Sequence, residues 1–538
     1  MREVFDIKEF IYSEQTTFND VISLDQVESM LISGCKIGLS GNTGSGKTYF
    51  CSHNLKEIAE AKGMTLHYIC NRSMLRQQEQ EADHFNHYHC YQSMMVEDFL
   101  DSPKRIYIVD ECHFFHDDSA FNYEIDDKLH YLLSMKESVV IFMSATANSF
   151  WNHCKKINVL NFYFEIKFSY DYVDRVCTYH SQTLRNQEIK FLLENTNDKI
   201  VLFCSSVTNG WKMYRKLSKI YGEDAVKFRC SNSVSNGSTN VEKQELVAEA
   251  RNYVINHYYN ESENGFLTLK NTDFLIKSDG SLNCRLLITT KALDNGVNIK
   301  DPLAKHVFSE IIDIQSLKQS LGRIRNVGQR VNFYIYCRSR KDIEARFLNP
   351  LHNKLAFFKD IIKYDNLDEL VYSLQVEDYT VFEKLGMSEE QIDIMIKSFH
   401  KNKKVSMLSY TNTLINIVNL QYAVKHSYYH LIKYQMFKDG EIAEDKWCKL
   451  QDLQDERESH LKDKEKEECL NSLLNRELTR KELKAIAKTL NLRDNQRNHY
   501  SVNKIIEWLH EQGYQVEVIQ PKYKGKSVKY ICRISTKN

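Results

Sequence analysis

The stretch 35–50 reads CKIGLSGNTGSGKTYF, an apolar run followed by a glycine-rich loop and the start of a helical pattern. Residues 41–48 fit the pattern G-x-x-x-x-G-K-T, in which backbone N–H groups surround phosphate oxygens at a helix N-terminus. In such a loop the lysine reaches the β- and γ-phosphates and the threonine hydroxyl binds Mg²⁺. We therefore predict an ATP and Mg²⁺ site whose nucleotide-binding residues are Gly41, Thr43, Gly44, Ser45, Gly46, Lys47 and Thr48.

Short apolar runs alternate with helical stretches on either side of this loop, which is the pattern of parallel sheets covered by helices. Before residue 155 the expected strands are 36–40, 66–70, 105–109 and 139–143. A second series begins near Val176 and continues with 199–204, 285–289, 305–308 and 331–337. The polar segment 231–280 interrupts this series as an insertion. The sequence thus predicts an α/β protein with two parallel sheets in tandem.

Asp110 and Glu111 end the apolar run 105–109 and are followed by Cys112 and His113. Adjacent carboxylates at the carboxyl end of a strand can divide one task. Asp110 would hold Mg²⁺ through water, while Glu111 would take the proton of the attacking water. Because buried carboxylates are costly without a cation, the pair favours a catalytic role over a structural one.

With these motifs in place, the chain resembles the superfamily 2 helicases of the DEAD/DEAH-like group, with Asp-Glu-Cys-His in the DExH position. The resemblance covers about residues 20–340. It implies two RecA-like domains in tandem that bind and hydrolyse ATP in the cleft between them. The further matches are Ser144-Ala145-Thr146 to motif III, residues 202–206 to motif IV, 289–298 to motif V and 319–325 to motif VI, with weaker matches at 71–73 and 91–93.

The resemblance also implies roles for individual residues. Catalysis would rest on Lys47, Asp110, Glu111, Gln319, Arg323 and Arg325. Gly296 and Asn298 would contact the nucleotide, and Thr48 and Asp110 would bind the metal. Nucleic acid would be contacted by Arg72, Gln92, Ser93, Ser205, Ser206 and Thr289.

Motif VI departs from this group, because Asn326 stands three residues after Arg323, where many relatives carry a second arginine. Arg325 is one residue early, and successive helical residues point about 100° apart. It would substitute only if its side chain bends back or the helix ends there. Asn298 replaces an acid of DEAD-box proteins, and Phe18 and Gln26 lack the neighbours of an adenine-reading motif. The sequence G-R-I-R at 322–325 is similar to viral, phage and mobile-element DNA helicases, so DNA is favoured over RNA.

Beyond residue 340 the pattern changes to long helical periods, and 476–538 is strongly basic. That segment has 14 Lys and Arg but 6 Asp and Glu, a net charge of +8 in a chain of net charge zero. Its order of helix, helix, strand, basic turn and strand resembles a winged helix, with Lys522, Lys524 and Lys526 against phosphates. A basic protein-docking module is an equal alternative. We predict RecA-like domains at 1–155 and 156–340, a helical accessory region at 341–475 and a winged-helix-like α+β domain at 476–538.

Composition narrows the class of protein further. Basic and acidic residues number 72 each, so any nucleic-acid surface must be local. The fourteen cysteines are scattered and include no C-x-x-C pair, which predicts a cytoplasmic protein. The charged N-terminus predicts no signal peptide, and the lack of a long apolar stretch predicts no membrane partner. His84, His87, His89 and Cys90 cluster, but no second ligand group has zinc spacing.

The leading interpretation is an ATP-dependent helicase or translocase that acts on DNA. An RNA helicase is one alternative. Another is an ATP-switched clamp or defence subunit that binds nucleic acid without unwinding it. A protein partner could bind through the helical or C-terminal region.

Overall fold

The computed structural model describes residues 7–12, 16–41, 44–70, 80, 84–91, 94–117, 119, 125–145, 147–167, 170–231, 240–261, 267–269, 275–277, 279–290, 299–324, 330–361, 407–437, 442–474, 476–490, 493–494, 499–500, 502–519, 522–523, 526–527 and 531–536. The chain divides into two compact units, Met1–Leu450 and Gln451–Asn538.

The first unit contains two seven-stranded parallel sheets, formed by successive parts of the chain. In the first sheet the strand order is β1-β7-β2-β6-β5-β3-β4, and all neighbouring pairs are parallel. The strands β2 and β6 are buried along their whole length, as expected of a parallel sheet covered on both faces. The seven strands are β1 Lys8–Tyr12, β2 Lys36–Gly41, β3 Thr65–Cys70, β4 His87–Cys90, β5 Arg105–Val109, β6 Val139–Ser144 and β7 Phe162–Ile166.

Helices cover the two faces of the first sheet and bury separate apolar clusters. The helices that precede residue 62 pack on the face that carries Ile37 and Leu39. The later helices pack on the face that carries Tyr107 and Phe142. They are α1 Phe18–Val21, α2 Leu24–Met30, α3 Lys47–Phe50, the π-helical turn Cys51–Leu55, α4 Lys56–Ala61, α5 Phe114–Asp117, α6 Ile125–Ser134 and α7 Asn148–Lys156.

The second sheet has the order β10-β13-β9-β14-β15-β8-β16 and is also parallel throughout. The segment 231–280 adds a long helix and a two-stranded antiparallel hairpin, β11–β12. The strands are β8 Val173–Tyr179, β9 Lys199–Phe203, β10 Val226–Arg229, β11 Tyr259–Glu261, β12 Leu267–Leu269, β13 Leu286–Thr289, β14 Ala304–Ser309, β15 Val331–Tyr336 and β16 Trp447–Lys449. The helices are α8 Gln182–Asn195, α9 Val207–Tyr221, α10 Val241–Tyr258 and α11 Ile314–Leu321.

These sheets confirm the predicted tandem RecA-like α/β fold, and the strands with predicted bounds agree within one residue at each end. Two of the strands for which no bounds were predicted bear on the predicted domains. Phe162–Ile166 belongs to the first sheet, although the predicted domain boundary falls at 155. Trp447–Lys449 is an edge strand of the second sheet, although 341–475 was predicted to be helical. A three-residue edge strand has too short a pattern to be distinguished from the helices around it.

Helices between β15 and β16 complete the first unit. None of the helices in the described part of the chain is both long and apolar enough to cross a membrane. The segments are α12 Arg340–Ile343, the π-helical turn Glu344–Leu348, α13 Asn349–Ile361, α14 Met407–His426, α15 Tyr428–Phe437 and the 3₁₀ turn Glu444–Lys446.

The second unit is a small α+β fold with a three-stranded antiparallel sheet of order β17-β23-β20. Its apolar core includes Leu478, Leu483, Ile505 and Ile534. A capping box between Thr479 and Glu482 begins its second helix. The elements are α16 Leu450–Leu473, β17 Glu477–Thr479, α17 Arg480–Thr489, β18 Arg493–Asp494, β19 His499–Tyr500, α18 Val502–Glu511, β20 Tyr514–Ile519, β21 Lys522–Tyr523, β22 Lys526–Ser527 and β23 Ile531–Thr536.

Candidate nucleotide site and nucleic-acid interface

The predicted nucleotide-binding loop lies at the carboxyl end of β2, inside the first sheet. Gly44 and Gly46 have φ of +98° and +79°, a region that glycine adopts without strain. A Cβ atom at Gly44 would meet nothing within 4 Å, so backbone conformation and not crowding requires glycine there. Gly46 is the N-cap of α3, which places the end of the loop at a helix N-terminus.

The side chain of Lys47 folds back across this loop. Its Nζ donates a hydrogen bond to the Gly41 carbonyl oxygen at 2.7 Å. Thr48 is the second residue of α3 and is partly exposed. Ser45 is buried beneath the loop. The lysine ammonium group and the threonine hydroxyl therefore both lie where β2 gives way to α3.

A segment that sequence reasoning discounted packs against the loop. The Phe18 backbone N–H donates to the Ser45 carbonyl oxygen at 3.0 Å, and the Phe18 ring lies close to Gly41. Gln26 forms a capping box with Ser23, in which the Ser23 N–H donates to the Gln26 side-chain oxygen at 2.8 Å. Phe18 therefore packs against the loop, whereas the Gln26 side chain caps its own helix.

Asp110 follows β5 directly, two strands away from β2 with β6 between them. Its carboxylate accepts hydrogen bonds from the Tyr68 hydroxyl at 2.5 Å and from the Glu111 N–H at 2.9 Å. The side chain is thereby fixed in a nearly buried position. Tyr68 was missed by sequence reasoning, because a tyrosine within a strand carries no motif that marks it as a partner of Asp110.

Glu111 adopts a backbone conformation that is rare outside glycine, with φ of +53°. Left-handed geometry costs a residue with a Cβ atom roughly 1–2 kcal/mol. Burial alone would raise the pKa of the Glu111 carboxyl group, but contact with His113 and the charges of Arg323 and Lys47 lower it to about 2. The carboxylate is therefore ionised across the physiological pH range.

His113 joins side chains from both sheets. The Gln319 amide nitrogen lies 2.9 Å from His113 Nε2, and both side chains are buried, with 6% and 1% exposed. His113 Nδ1 lies 3.0 Å from Ser144 Oγ and 3.3 Å from Glu111 Oε2. With the Gln319 amide as donor, Nε2 accepts and the ring proton is on Nδ1, which faces Ser144 and Glu111. Gln319 thus reaches from the second sheet to the neighbour of Glu111.

Arg323 is buried near Glu111 and lies just beyond the end of the helix that carries Gln319. Helix α11 ends at Leu321, and Gly322 is its C-cap. The Arg323 carbonyl oxygen instead accepts a hydrogen bond from the Ile299 N–H at 2.8 Å. The helix therefore ends before Arg323, and a helix end was one of the two conditions under which Arg325 was expected to substitute for the second arginine. The side chain is 4% exposed.

The predicted nucleic-acid residues of the second sheet lie at the carboxyl ends of β9 and β13. The Ser205 N–H and hydroxyl both donate to Glu310 at 3.4 Å, and buried Glu310 forms an ion pair with Arg185. Ser206 is the N-cap of α9. Thr289 is fully buried, so a direct contact with nucleic acid would require the end of β13 to open.

Several predicted site residues lie outside the described residues. They are Thr43, Arg72, Gln92, Ser93, Thr146, Gly296, Asn298, Arg325, Asn326 and Lys524. The backbone of the basic turn is described in part, since β21 and β22 form a short antiparallel pair. Lys522 pairs with Ser527 in that hairpin, and Lys526 pairs with Tyr523.

The histidine cluster forms a ladder across β3 and β4. His67 Nδ1 lies 3.3 Å from His89 Nε2, and the rings of His67 and His87 stack with centroids 4.4 Å apart. Burial, followed by His87 and Arg105, lowers the pKa of His67 to about 3. No group of three or more His, Cys, Asp and Glu residues within the described ranges could hold a metal ion.

No protein-family model matches the sequence, and no curated protein matches it. Solved structures show similarity. S. cerevisiae Dbp5 bound to RNA and ADP BeF3 aligns with a TM-score of 0.39 and 14% identity, over 59% of this chain and 83% of that one. The DUF1998 helicase MrfA bound to DNA aligns with a TM-score of 0.38 and 13% identity, over 58% of this chain and 48% of that one. At such identities the likeness is one of fold alone.

Proposed function

We propose that this chain is an ATP-dependent nucleic-acid helicase or translocase, with DNA as the favoured substrate and ATP hydrolysed between the two sheets of the first unit. One observation carries the proposal. Gln319 of the second sheet contacts His113, which also contacts Ser144 and Glu111 of the first sheet. Contacts of this kind make the environment of Glu111 depend on how the two sheets meet.

The donor set at the carboxyl ends of β2 and β5 suits Mg²⁺. This cation prefers hard oxygen ligands and is usually bound by one or two protein side chains together with phosphate oxygens and water. Thr48 supplies a hydroxyl group and Asp110 a carboxylate that is already fixed by Tyr68. Both carboxylate oxygens of Asp110 retain acceptor capacity for a metal-bound water. Mg²⁺ would supply charge neutralisation at the transferred phosphoryl group.

Lys47 and Arg323 would bind the phosphates from opposite sides of the cleft. Lys47 must leave the Gly41 carbonyl oxygen to do so, and its flexible stem allows this movement. Arg323 would neutralise charge that develops on the γ-phosphate, where a preorganised cation stabilises the transition state. Since Arg323 comes just after α11, which packs against β14 of the second sheet, this stabilisation is available only when the two sheets are together.

Glu111 would act as the base for the attacking water. With a pKa of about 2 the carboxylate is ionised but a weak base. His113 lowers this pKa most and Arg323 and Lys47 lower it further; phosphate oxygens would neutralise the last two charges. Glu111 therefore becomes more basic once substrate occupies the closed cleft. Because Glu111 would become an effective base only with substrate in the closed cleft, hydrolysis would be restricted to the state in which both sheets contact the nucleotide.

The second unit would bind DNA through electrostatic attraction to its phosphates. Residues 476–538 carry a net charge of +8, whereas the remainder of the chain carries the compensating negative charge. The turn between β20 and β23 contains Lys522, Lys524 and Lys526. Lysines on a hairpin can neutralise phosphates without reading sequence, which suits a motor that must move along its substrate.

The experiment that tests this proposal compares ATP hydrolysis with single-stranded DNA, duplex DNA, forked DNA and RNA. We expect DNA to stimulate turnover more than RNA does, and a labelled fork to be unwound only when ATP is hydrolysed. Glu111→Gln protein is the control, because it should keep the substrate site but lack the base. Stronger stimulation by RNA would reassign the substrate, whereas stimulation without strand displacement would favour the clamp. Absence of hydrolysis with every nucleic acid would refute the proposal.

A further inference from the structure

The helix pair α14–α15, residues 407–437, contacts both sheets of the first unit. Near its start, Leu408 is buried in the same apolar cluster as Phe114 and Phe115 of the first sheet. One turn later, the Asn412 side-chain amide donates a hydrogen bond to the His116 carbonyl oxygen at 3.2 Å. Helix α14 is therefore anchored to α5, the short helix that follows Glu111.

Helix α5 is itself built on the residues beside the proposed base. The Phe114 N–H donates to the Glu111 carbonyl oxygen, and the His116 N–H donates to the His113 carbonyl oxygen, both at 3.0 Å. A displacement of α5 would consequently move the backbone that carries Glu111 and His113. Through His116, Asn412 holds this turn in place.

Helix α15 contacts the second sheet next to the helix that carries Gln319. The buried Tyr428 hydroxyl donates to the carbonyl oxygens of Ile312 at 2.8 Å and Ile311 at 3.2 Å. These residues immediately precede Asp313, the N-cap of α11. Further along, Lys318 Nζ of α11 donates to the Gln435 carbonyl oxygen at 3.3 Å. Helix α15 thus fixes both the start and the side of α11.

The two helices meet at Ser427, whose backbone is unusual. Its φ of +126° lies in the region that favours glycine, and it is one of the non-glycine residues of the described chain with positive φ. Ser427 also caps α15, because its hydroxyl accepts a hydrogen bond from the His430 N–H at 3.2 Å. Strain of this kind persists only where the surrounding contacts enforce it. Ser427 lies between the two anchors, Asn412 beside the first sheet and Tyr428 beside the second.

We propose that α14–α15 is an internal strap that sets the distance between the Glu111 turn and the start of α11, with Asn412 and Tyr428 as positioning residues and Ser427 as the hinge. The inference rests on the proposed function, since it assigns the strap to the contact between His113 and Gln319. The hydrogen bonds described for the two positioning residues go to His116, Ile311 and Ile312 and not to the nucleotide loop. Their loss should therefore lower turnover while leaving nucleotide binding intact.

The test uses the full chain with Tyr428→Phe, which removes one hydroxyl, and Asn412→Ala. Single hydrogen bonds of this type should change kcat roughly two- to tenfold, with the KM for ATP unchanged. The double variant should lose little more than the worse single variant, because both act on one element. Tyr429→Phe is the matched control, since this neighbour packs on Trp447 and Lys433 instead of α11. If Tyr428→Phe and Tyr429→Phe turn over equally, the strap does not position the site.

A second measurement does not require ATP hydrolysis. Amide hydrogen exchange of Phe114–Asp117 should accelerate in Tyr428→Phe, although the hydrogen bonds described for the altered hydroxyl go to residues 311 and 312, which follow a strand of the other sheet. Unchanged exchange in Phe114–Asp117 would overturn the strap. If the unmodified protein hydrolyses no ATP, the proposed function fails, and the exchange result then decides the strap by itself.

Discussion

Gln319→Leu isolates the contact between the two sheets. The substitution keeps the size of the side chain but removes the donor to His113 Nε2, which is 2.9 Å away. Because His113 is 1% exposed, its nitrogen would be buried without a donor in the closed cleft, at a cost of about 1–3 kcal/mol. At tenfold for each 1.4 kcal/mol, the equilibrium for closing should fall roughly 5- to 150-fold.

The loss should appear in turnover and not in nucleotide binding. Steady-state ATP hydrolysis at saturating DNA should fall within that range, while titration with a fluorescent nucleotide in the absence of DNA should match the unmodified protein. Ser320→Ala is the matched control. Its buried hydroxyl lies on the same helix but donates to the Leu317 carbonyl oxygen of that helix at 2.7 Å, so its loss leaves the contact between the sheets in place. Turnover of Gln319→Leu equal to that of Ser320→Ala would show that the bridge has no part in the active state.

Three further outcomes follow from the proposed roles. Lys47→Ala should lose ATP affinity and turnover together. Glu111→Gln should bind ATP but hydrolyse it orders of magnitude more slowly, and near-normal turnover in this variant would exclude Glu111 as the base. Arg323→Ala should still bind ATP but lose on the order of a thousandfold in kcat. If Arg323→Ala is active and Arg325→Ala is inactive, the alignment of residues 319–325 with motif VI is wrong. Deletion of Gln451–Asn538 should weaken DNA binding. The slope of log affinity against log salt should also flatten by about one for each phosphate that the protein no longer neutralises. An unchanged slope would show that the second unit is a protein-docking module.

The strands that carry motifs could be predicted because each is a short apolar run that ends in polar residues. Arg105–Val109 is an example, since its bounds are the predicted ones. The edge strands could not be predicted in the same way. Lys8–Tyr12 is half exposed and pairs with Phe162–Ile166, about 150 residues away. Nothing local in either segment indicates its partner.

The candidate site could be predicted as a set of motifs but not as a set of contacts. The sequence placed Lys47 at a helix start and Asp110 and Glu111 at a strand end, where the structure has them. It offered no means of pairing His113 with Gln319, because that contact depends on how two separately folded sheets meet. The sequence left open a helix end at Arg325, but α11 already ends at Leu321, with Gly322 as its C-cap.

The edge strand β16 has a consequence for the order in which the protein can fold during synthesis. The first sheet has all its strands once Ile166 has been made, but the second must wait for Trp447–Lys449, which pair with Val176–Thr178 some 271 residues earlier. At about 5–20 residues per second, the open edge of β8 would persist for roughly 15 to 55 s on the ribosome. Shortened chains that stop before Trp447 would keep every motif yet expose that edge permanently. Such chains should be prone to aggregation through strand pairing.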